Sequence, residues 1–404
     1  MGGHRLHVAL WGAWYGSRNV GDQALLVTIP PILEGAVGER VRFTVFTDDA
    51  AWVRAYGPGG SGCAVGAVEN RRQLPRLVAT LAGCDLFVIG GGVPIYPQPY
   101  HLAVTGFLVG AARLARTPYM TWSVAAQPLD SVASRRLFRW VLDGAAAVTC
   151  RDPWSERILR STGSRRTIHR GADPAFRLES TAEDERAAKE ILARAGVPGD
   201  DGRPLAALVC RRTRADHPYA AEHYEAKPPE RIERTLDCFA AALDRLWERG
   251  LRPVFVPMNV VAPDDDREPA RAVAARARHG AQARFVDEPL RPAVVPALLR
   301  GFHCGMSSRL HAVVLGAVAG VPMAVHAIGP KLRGMAEELG LDPWALDDAA
   351  ATPQATVSRI DDLLDRRDAV AERLRDRVEV QRARALVPGI QAAEILAGRG
   401  RTGR

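Results

Sequence analysis

Six cysteines in 404 residues, none in a CxxC pair and none at Cys/His ligand spacing, leave little from which to build a disulfide framework or a structural zinc. Cys63, Cys84, Cys150, Cys210, Cys238 and Cys304 stand far apart, mostly inside apolar strand or helix patterns, so buried free thiols in a reducing cytoplasm are expected. The apolar run from Ala312 to Val325 falls short of the roughly 18 residues a membrane span needs and contains Pro322. The N-terminus enters a strand pattern almost at once and lacks the apolar core and cleavage site of a secretion signal, and Leu6 stands where a myristoylation motif wants Ser or Thr. Aromatic residues make up only 6%, and no basic stretch interleaved with them reads as a nucleic-acid surface. No internal repeat or low-complexity segment stands out. A soluble cytoplasmic protein with no transmembrane segment and no nucleic-acid partner is expected.

What is present describes a large globular chain, 47% hydrophobic and 25% charged, too long for one ordinary core. Two similar lobes and a C-terminal appendage follow from that length. The net charge of +8 comes mainly from arginine and is scattered along the chain, which favours acidic small molecules as partners.

Strand and helix patterns alternate along the chain, predicting right-handed crossovers and parallel sheets covered on both faces. His7–Trp14 reads as a strand, followed by a loop containing Gly16 and Gly21 and a helix that Asp22 is placed to cap; this is not the GxGxxG dinucleotide fingerprint. Asp85–Ile89 is a buried-strand signal that runs into Gly90, Gly91 and Gly92, where something approaches the backbone closely. The proline- and tyrosine-bearing loop Val93–Tyr100, ahead of His101, reads equally as a rigid turn or as a wall for a sugar-like acceptor. A strand from Ala145 to Cys150 ends in Arg151-Asp152, and Pro and Gly near Asp173 interrupt the pattern before it starts afresh. The domains are therefore expected at 1–175, 176–345 and, as C-terminal helices, 346–404. In the second lobe a strand leads to Arg211-Arg212, and the segment 216–230 reads as a mobile surface loop that could order as a lid. The run Asp264-Asp265-Asp266 is read as a helix N-terminus and not as a metal site, because consecutive carboxylates point in different directions.

The richest stretch is Gly305–Gly340. A strand gives way to Ser307-Ser308-Arg309-Leu310-His311, a small-residue helix, a Gly320-Val321-Pro322 break, a second strand, and Lys331 on the next helix. Three potentially cationic groups at element ends are where open α/β sheets hold ligands, so an anionic guest is expected.

Taken in order, Asn19-Val20-Gly21-Asp22, Asp85 with Gly90-Gly91-Gly92, Arg151 with Ser155, Asp173 with Phe176, Ser308-Arg309-Leu310-His311, and Lys331 with Gly340-Leu341 resemble the polysaccharide pyruvyl transferase family over most of the chain. The resemblance implies an α/β fold of two Rossmann-like lobes with parallel sheets in a GT-B-like arrangement. It also implies phosphoenolpyruvate as donor, a sugar-containing acceptor and a ketal product. On it, His311 and Arg309 serve the donor site as catalytic residues, with Arg151 and Lys331 carried over beside them. Asn19, Asp22, Gly91, Gly92, Arg211 and Ser308 complete the set expected to bind substrate. No metal and no cofactor beyond the co-substrate are implied, and homo-oligomerisation is left open. Val93-Pro94-Ile95-Tyr96 departs from the polar or acidic loop usual in the family.

The residues themselves suit that donor. Phosphoenolpyruvate carries a carboxylate and a phosphate, which call for two cationic or N–H-rich subsites, and a histidine is tunable across neutral pH as a proton donor or phosphate ligand. Two rivals remain. Leu315–Pro322 resembles the donor motif of GT-B glycosyltransferases, but Gly316 stands where an acidic residue would hold the ribose hydroxyls of a nucleotide sugar. A non-catalytic protein that closes on an anionic sugar is the other.

Overall fold

The structure is a computed structural model describing residues 5–12, 14–57, 64–69, 73–197, 202–211 and 229–402. The segment expected as a lid falls, in its part 216–228, outside the described residues, as does Cys63.

The chain divides into two compact units. One comprises residues up to Arg18, Asp22–Arg177 and Gln381–Arg404; the other comprises Asn19–Gly21 and Leu178–Val380. The first is built as β1 (His7–Trp11), α1 (Val20–Val37), β2 (Arg42–Thr47), α2 (Ala50–Tyr56), β3 (Ala64–Glu69), α3 (Leu74–Gly83), β4 (Leu86–Gly90), α4 (Pro99–Leu114), β5 (Tyr119–Val124), α5 (Val132–Gly144), β6 (Ala147–Cys150), α6 (Pro153–Ser161) and β7 (Ile168–Arg170). Its seven strands are all parallel in the order β3-β2-β1-β4-β5-β6-β7. That order reverses between β1 and β4, which makes the carboxyl ends of those two strands a topological switch point. Strands β1, β4 and β5 are buried at every position, as expected of sheet centres covered on both faces.

The second unit runs α7 (Ala182–Arg194), β8 (Leu205–Val209), α8 (Pro229–Glu248), β9 (Arg252–Phe255), α9 (Arg267–Arg276), β10 (Arg284–Phe285), α10 (Val294–Leu299), β11 (Phe302–Ser307), α11 (Leu310–Val318), β12 (Met323–Ala327), α12 (Pro330–Glu338), β13 (Ala345–Asp347), α13 (Pro353–Asp365) and α14 (Arg367–Arg384), whose end passes back to the first unit with α15 (Val387–Thr402). Its six parallel strands lie in the order β10-β9-β8-β11-β12-β13. The switch point here falls between β8 and β11.

The α/β class with two Rossmann-like units and C-terminal helices is as the sequence predicts. Three local readings differ. Strand β13 falls across position 346, where the C-terminal helices are expected to begin, because Ala345–Asp347 completes the sheet edge beside β12. The polar region beyond it is split at Arg366, where α13 ends, into two helices. Helix α1 starts at Val20, so Asp22 sits within its first turn, and Asn19 takes the capping place by accepting the Gly21 N–H at 2.8 Å. The five described cysteines are buried and stand outside any disulfide.

Candidate active site

In the second unit, β8, β11 and β12 are neighbours running the same way, so the loops after them meet at one sheet edge. The loop after β8 carries Arg211, whose backbone N–H donates to Ser308 Oγ at 2.8 Å; the Ser308 N–H in turn donates to the Val209 carbonyl at 2.9 Å. The loop after β11 enters α11 through Arg309 and Leu310, placing His311 in its first turn. The loop after β12 enters α12 through Gly329 and Pro330, with Lys331 next and partly exposed. Two helix N-termini thus open beside each other at a sheet edge, where partial positive charge and backbone N–H groups favour an anion. Arg211, Ser308, His311 and Lys331 share this edge.

Arg309 is committed elsewhere. Its Nε donates to both Asp266 oxygens at 3.1 and 3.2 Å, and Nη2 donates to Asp266 Oδ1 and to the Asp264 carbonyl at 3.1 Å. The pair is almost fully buried, with side chains 9% and 2% exposed. Asp266 also accepts the N–H groups of Met258 and Asn259, at 3.0 and 3.1 Å. Burial raises the Asp266 carboxyl above its ordinary range, and the Arg309 guanidinium opposes that rise. Arg309 therefore holds the 258–266 loop against α11.

Residues 19–21 join the same assembly. The Val20 N–H donates to the Met258 carbonyl at 2.9 Å, and the Gly21 Cα lies against the His311 imidazole. A Cβ at position 21 would stand 2.0 Å from His311 Nδ1, so only glycine fits beneath that ring. The contacts close a circuit: Gly21 and Val20 to Met258, Met258 to Asp266, Asp266 to Arg309, and two residues on, His311 back to Gly21.

In the first unit, the ends of β1 and β4 and the start of α1 converge. The Tyr15 hydroxyl donates to the Gly90 carbonyl at 2.8 Å, and burial, with the Asp22 charge adding, pushes its phenol far above the usual range, keeping it a donor. Gly91 and Gly92 both take left-handed backbone, φ +67 and +63, and a Cβ on Gly91 would stand 2.8 Å from the Tyr15 hydroxyl. Asp22 Oδ1 faces Gly92, 3.4 Å from where a Cβ would sit, and Asp22 Oδ2 accepts from Ser17 Oγ at 3.3 Å. Asp22, Gly91 and Gly92 are thus brought together.

Beside them the 93–100 loop delivers an aromatic group. The His101 ring lies 5.4 Å from Trp14, 5.2 Å from Tyr96 and 5.5 Å from Tyr100. His101 is buried, and burial lowers its pKa, with the Asp48 charge opposing. Among the described residues its Nε2 has no hydrogen-bond partner, nor has Thr105 Oγ1 one turn along α4. Two buried polar groups left open on one helix face cost about 1–3 kcal/mol each unless something completes them.

Arg151 is internal. Nη1 donates to Asp173 at 2.9 Å and Nε to Asp152 at 3.3 Å, and Asp152 caps α6 by accepting the Ser155 N–H at 2.7 Å. Ser155 Oγ in turn accepts the Ala126 N–H at 3.0 Å. This buried network fastens β6, α6 and the 173–175 turn. Gly316 faces Met323, whose Sδ would lie 3.0 Å from a Cβ there, so the position sits in the packing between α11 and β12.

Sequence reasoning did not single out Asp266, the seat that Gly21 makes for His311, Tyr15, or the open Nε2 of His101. Asp266 was hidden in a run of three carboxylates. Gly21 stands in the Asn19–Asp22 stretch that carries the family resemblance, but nothing in the sequence pairs it with His311.

Solved structures similar to this chain include the UDP-GlcNAc 2-epimerase from Neisseria meningitidis, 10% identical with TM-score 0.59 over 97% of this chain and 100% of the other. A putative UDP-N-acetylglucosamine 2-epimerase from Listeria monocytogenes is 13% identical with TM-score 0.59, covering 95% and 94%. The N-terminal domain of Candida albicans trehalose-6-phosphate phosphatase is 12% identical with TM-score 0.57, covering 98% of both chains. At such identities the likeness shows the fold alone. No curated protein sequence matches the chain significantly. The family model described as polysaccharide pyruvyl transferase matches residues 19–327, a span that begins two residues before Gly21, which lies against His311, and ends where β12 does. This chain belongs to the polysaccharide pyruvyl transferase family.

Proposed function

We propose that the protein moves a pyruvyl group from phosphoenolpyruvate to two hydroxyls of a sugar-containing acceptor, forming a ketal and releasing phosphate. The observation that carries this reading is the edge of the second sheet, where His311, seated on Gly21, stands in the first turn of α11 beside Arg211, Ser308 and the start of α12 with Lys331. A small donor with two anionic groups suits two adjoining helix N-termini flanked by two cations.

In this mechanism His311 delivers a proton to the methylene carbon of the enol, leaving an oxocarbenium-like centre at the adjoining carbon. An acceptor hydroxyl adds there and gives up its proton. The carbon–oxygen bond to phosphate then breaks, phosphate departs against Arg211 and Lys331, and the second hydroxyl closes the ketal with loss of its own proton. One of the two hydroxyl protons balances the methyl group and the other leaves with phosphate. Arg309 acts as a positioning residue, through Asp266 and the 258–266 loop. In the first unit, Asp22, the Gly91-Gly92 backbone and the open Nε2 of His101 offer hydroxyl-binding groups beside aromatic rings, a surface suited to a pyranoside.

The deciding experiment incubates the protein with phosphoenolpyruvate and a panel of glycosides, following phosphate release and the mass increment of a pyruvate ketal. Arg211→Ala and Lys331→Ala should each raise KM for phosphoenolpyruvate or slow turnover by roughly 10- to 150-fold, the effect of losing a charge-assisted contact of ~1.5–3 kcal/mol. Sugar transfer from a nucleotide sugar, with no phosphate released from phosphoenolpyruvate, would replace this reading with the glycosyltransferase one. Binding of an anionic sugar without any product would leave a binding protein.

A further inference from the structure

Nine large apolar side chains are exposed among the described residues, and seven of them lie on the three consecutive helices α3, α4 and α5. These helices follow β3, β4 and β5 and each connects rightward in the strand order, so right-handed crossovers set them on one face of the first sheet. Helix α4 packs against both α3 and α5. On α4, Tyr100, Phe107 and Leu114 recur every seven residues along one stripe, Leu114 being 90% exposed. On α5, Val132 and Trp140 stand eight apart on one face, and on α3, Leu74 and Val78 stand one turn apart. The exposed apolar residues therefore gather on three helices packed side by side over one face of the sheet, and are not scattered singly over the molecule, as is common and carries no meaning.

The charge of the same helices is one-sided. They carry Arg76, Arg113, Arg135, Arg136 and Arg139 against one acid, Asp143. The Arg113 guanidinium lies 4.8 Å above the Trp140 ring, joining α4 to α5 at the surface. Exposed Trp, Phe and Leu among arginines, with almost no acid, match what settles at the headgroup level of an anionic bilayer. A second copy of this chain fits less well, because a two-fold contact sets a patch against itself and, with Arg139 paired to Asp143, here opposes four arginines to four.

We infer that the α3–α5 face docks the protein peripherally on an anionic lipid surface. The docking does not depend on the donor assignment. On the acceptor reading above, a lipid-anchored glycoside would reach His101 along α4, since Tyr100 begins the exposed stripe and packs on that ring.

The test is co-sedimentation of the full-length protein with vesicles of phosphatidylcholine alone or mixed with phosphatidylglycerol, with oligomeric state followed by light scattering. The wild type should sediment with the mixed vesicles only, and added salt should release it. Phe107→Ser combined with Leu114→Ser, and separately Arg76→Glu combined with Arg136→Glu, should each cut the vesicle partition constant at least about tenfold, the effect of ~1.4 kcal/mol, while circular dichroism and turnover of a soluble glycoside stay as in the wild type. No sedimentation, equal binding to both vesicle types, or binding indifferent to both pairs of substitutions would overturn the inference. So would a dimer that the same substitutions dissociate, which would assign the face to a second copy.

Discussion

Gly21 and His311 touch so closely that a single methyl group would separate them: a Cβ on Gly21 would stand 2.0 Å from Nδ1 and 2.4 Å from Cγ of the imidazole. Residue 21 is the second residue of α1, and its neighbour Val20 is tied to Met258. Neither partner has slack, so Gly21→Ala must move the ring. A displacement on the order of 1 Å costs about 100-fold in rate where a proton must be delivered along a set direction. Phosphate release from phosphoenolpyruvate in the presence of acceptor should fall by about that factor, with KM for the donor changed far less, and Gly21→Ala retaining full turnover would remove His311 from proton delivery.

The Asp266–Arg309 pair supports that geometry from the other side. Removing one partner of a buried pair leaves the other charge uncompensated, at about 3–5 kcal/mol. Asp266→Asn should lower the urea midpoint of the second unit accordingly, and Arg309→Lys, which loses the fork that meets both carboxylate oxygens, should do so as well. Combining Asp266→Asn with Arg309→Met should recover part of the stability but not the activity.

Acid sensitivity is expected from three histidines. His101 is held below its ordinary pKa by burial, His7 by burial with Arg42 adding, and His303 by burial with Arg367 adding. Each takes up a proton more readily unfolded than folded. Their contribution is therefore complete above the unfolded value near 6.5 and is lost as pH falls below it. Melting temperature measured against pH should drop on that acid side, and His101→Phe should flatten the drop by up to about one proton, since the phenyl ring stays neutral among Trp14, Tyr96 and Tyr100.

If His101 Nε2 meets an acceptor hydroxyl, His101→Phe should also raise KM for the glycoside while leaving KM for phosphoenolpyruvate unchanged. Losing one hydrogen bond to a neutral partner, worth about 0.5–1.5 kcal/mol, corresponds to roughly 2- to 13-fold. Equal changes in both constants would mark a purely structural histidine.

The thiols should be inert while the fold holds. Burial pushes Cys150 and Cys304 each up to about 12, and raises Cys210 and Cys238 as well, so thiolate is scarce at neutral pH. A thiol reagent should modify these positions only on addition of denaturant, and rapid labelling of Cys150 in the native protein would contradict its burial.

Much of the architecture could be read from local pattern. The apolar run of β4 into three glycines, the strand of β11 into Ser308 and His311, and the Gly320–Pro322 break before β12 are short-range signals, because strand and helix periodicity is imposed within a few residues. The sequence pattern favours Asp22 as the cap of α1, whereas Asn19 takes that place; local chemistry does not resolve a shift of one turn, since both side chains can accept a backbone N–H.

The amino-acid sequence by itself determined the alternation of strands and helices, and hence the two parallel sheets, and it placed His311, Ser308, Arg211 and Lys331 just after strands, the position at which open α/β sheets in general bind ligands. Only the tertiary structure decided which arginines are taken up inside the fold. Arg309 and Arg151 look no different from Arg211 in the sequence, yet each is buried against carboxylates, Asp266 and Asp173, that stand 43 and 22 residues away along the chain. Pairing of that kind depends on what the fold brings alongside a guanidinium, and neither periodicity nor composition carries it. The same holds for the apolar face of α3, α4 and α5, where each helix taken alone shows a few exposed residues and only their packing side by side makes a surface.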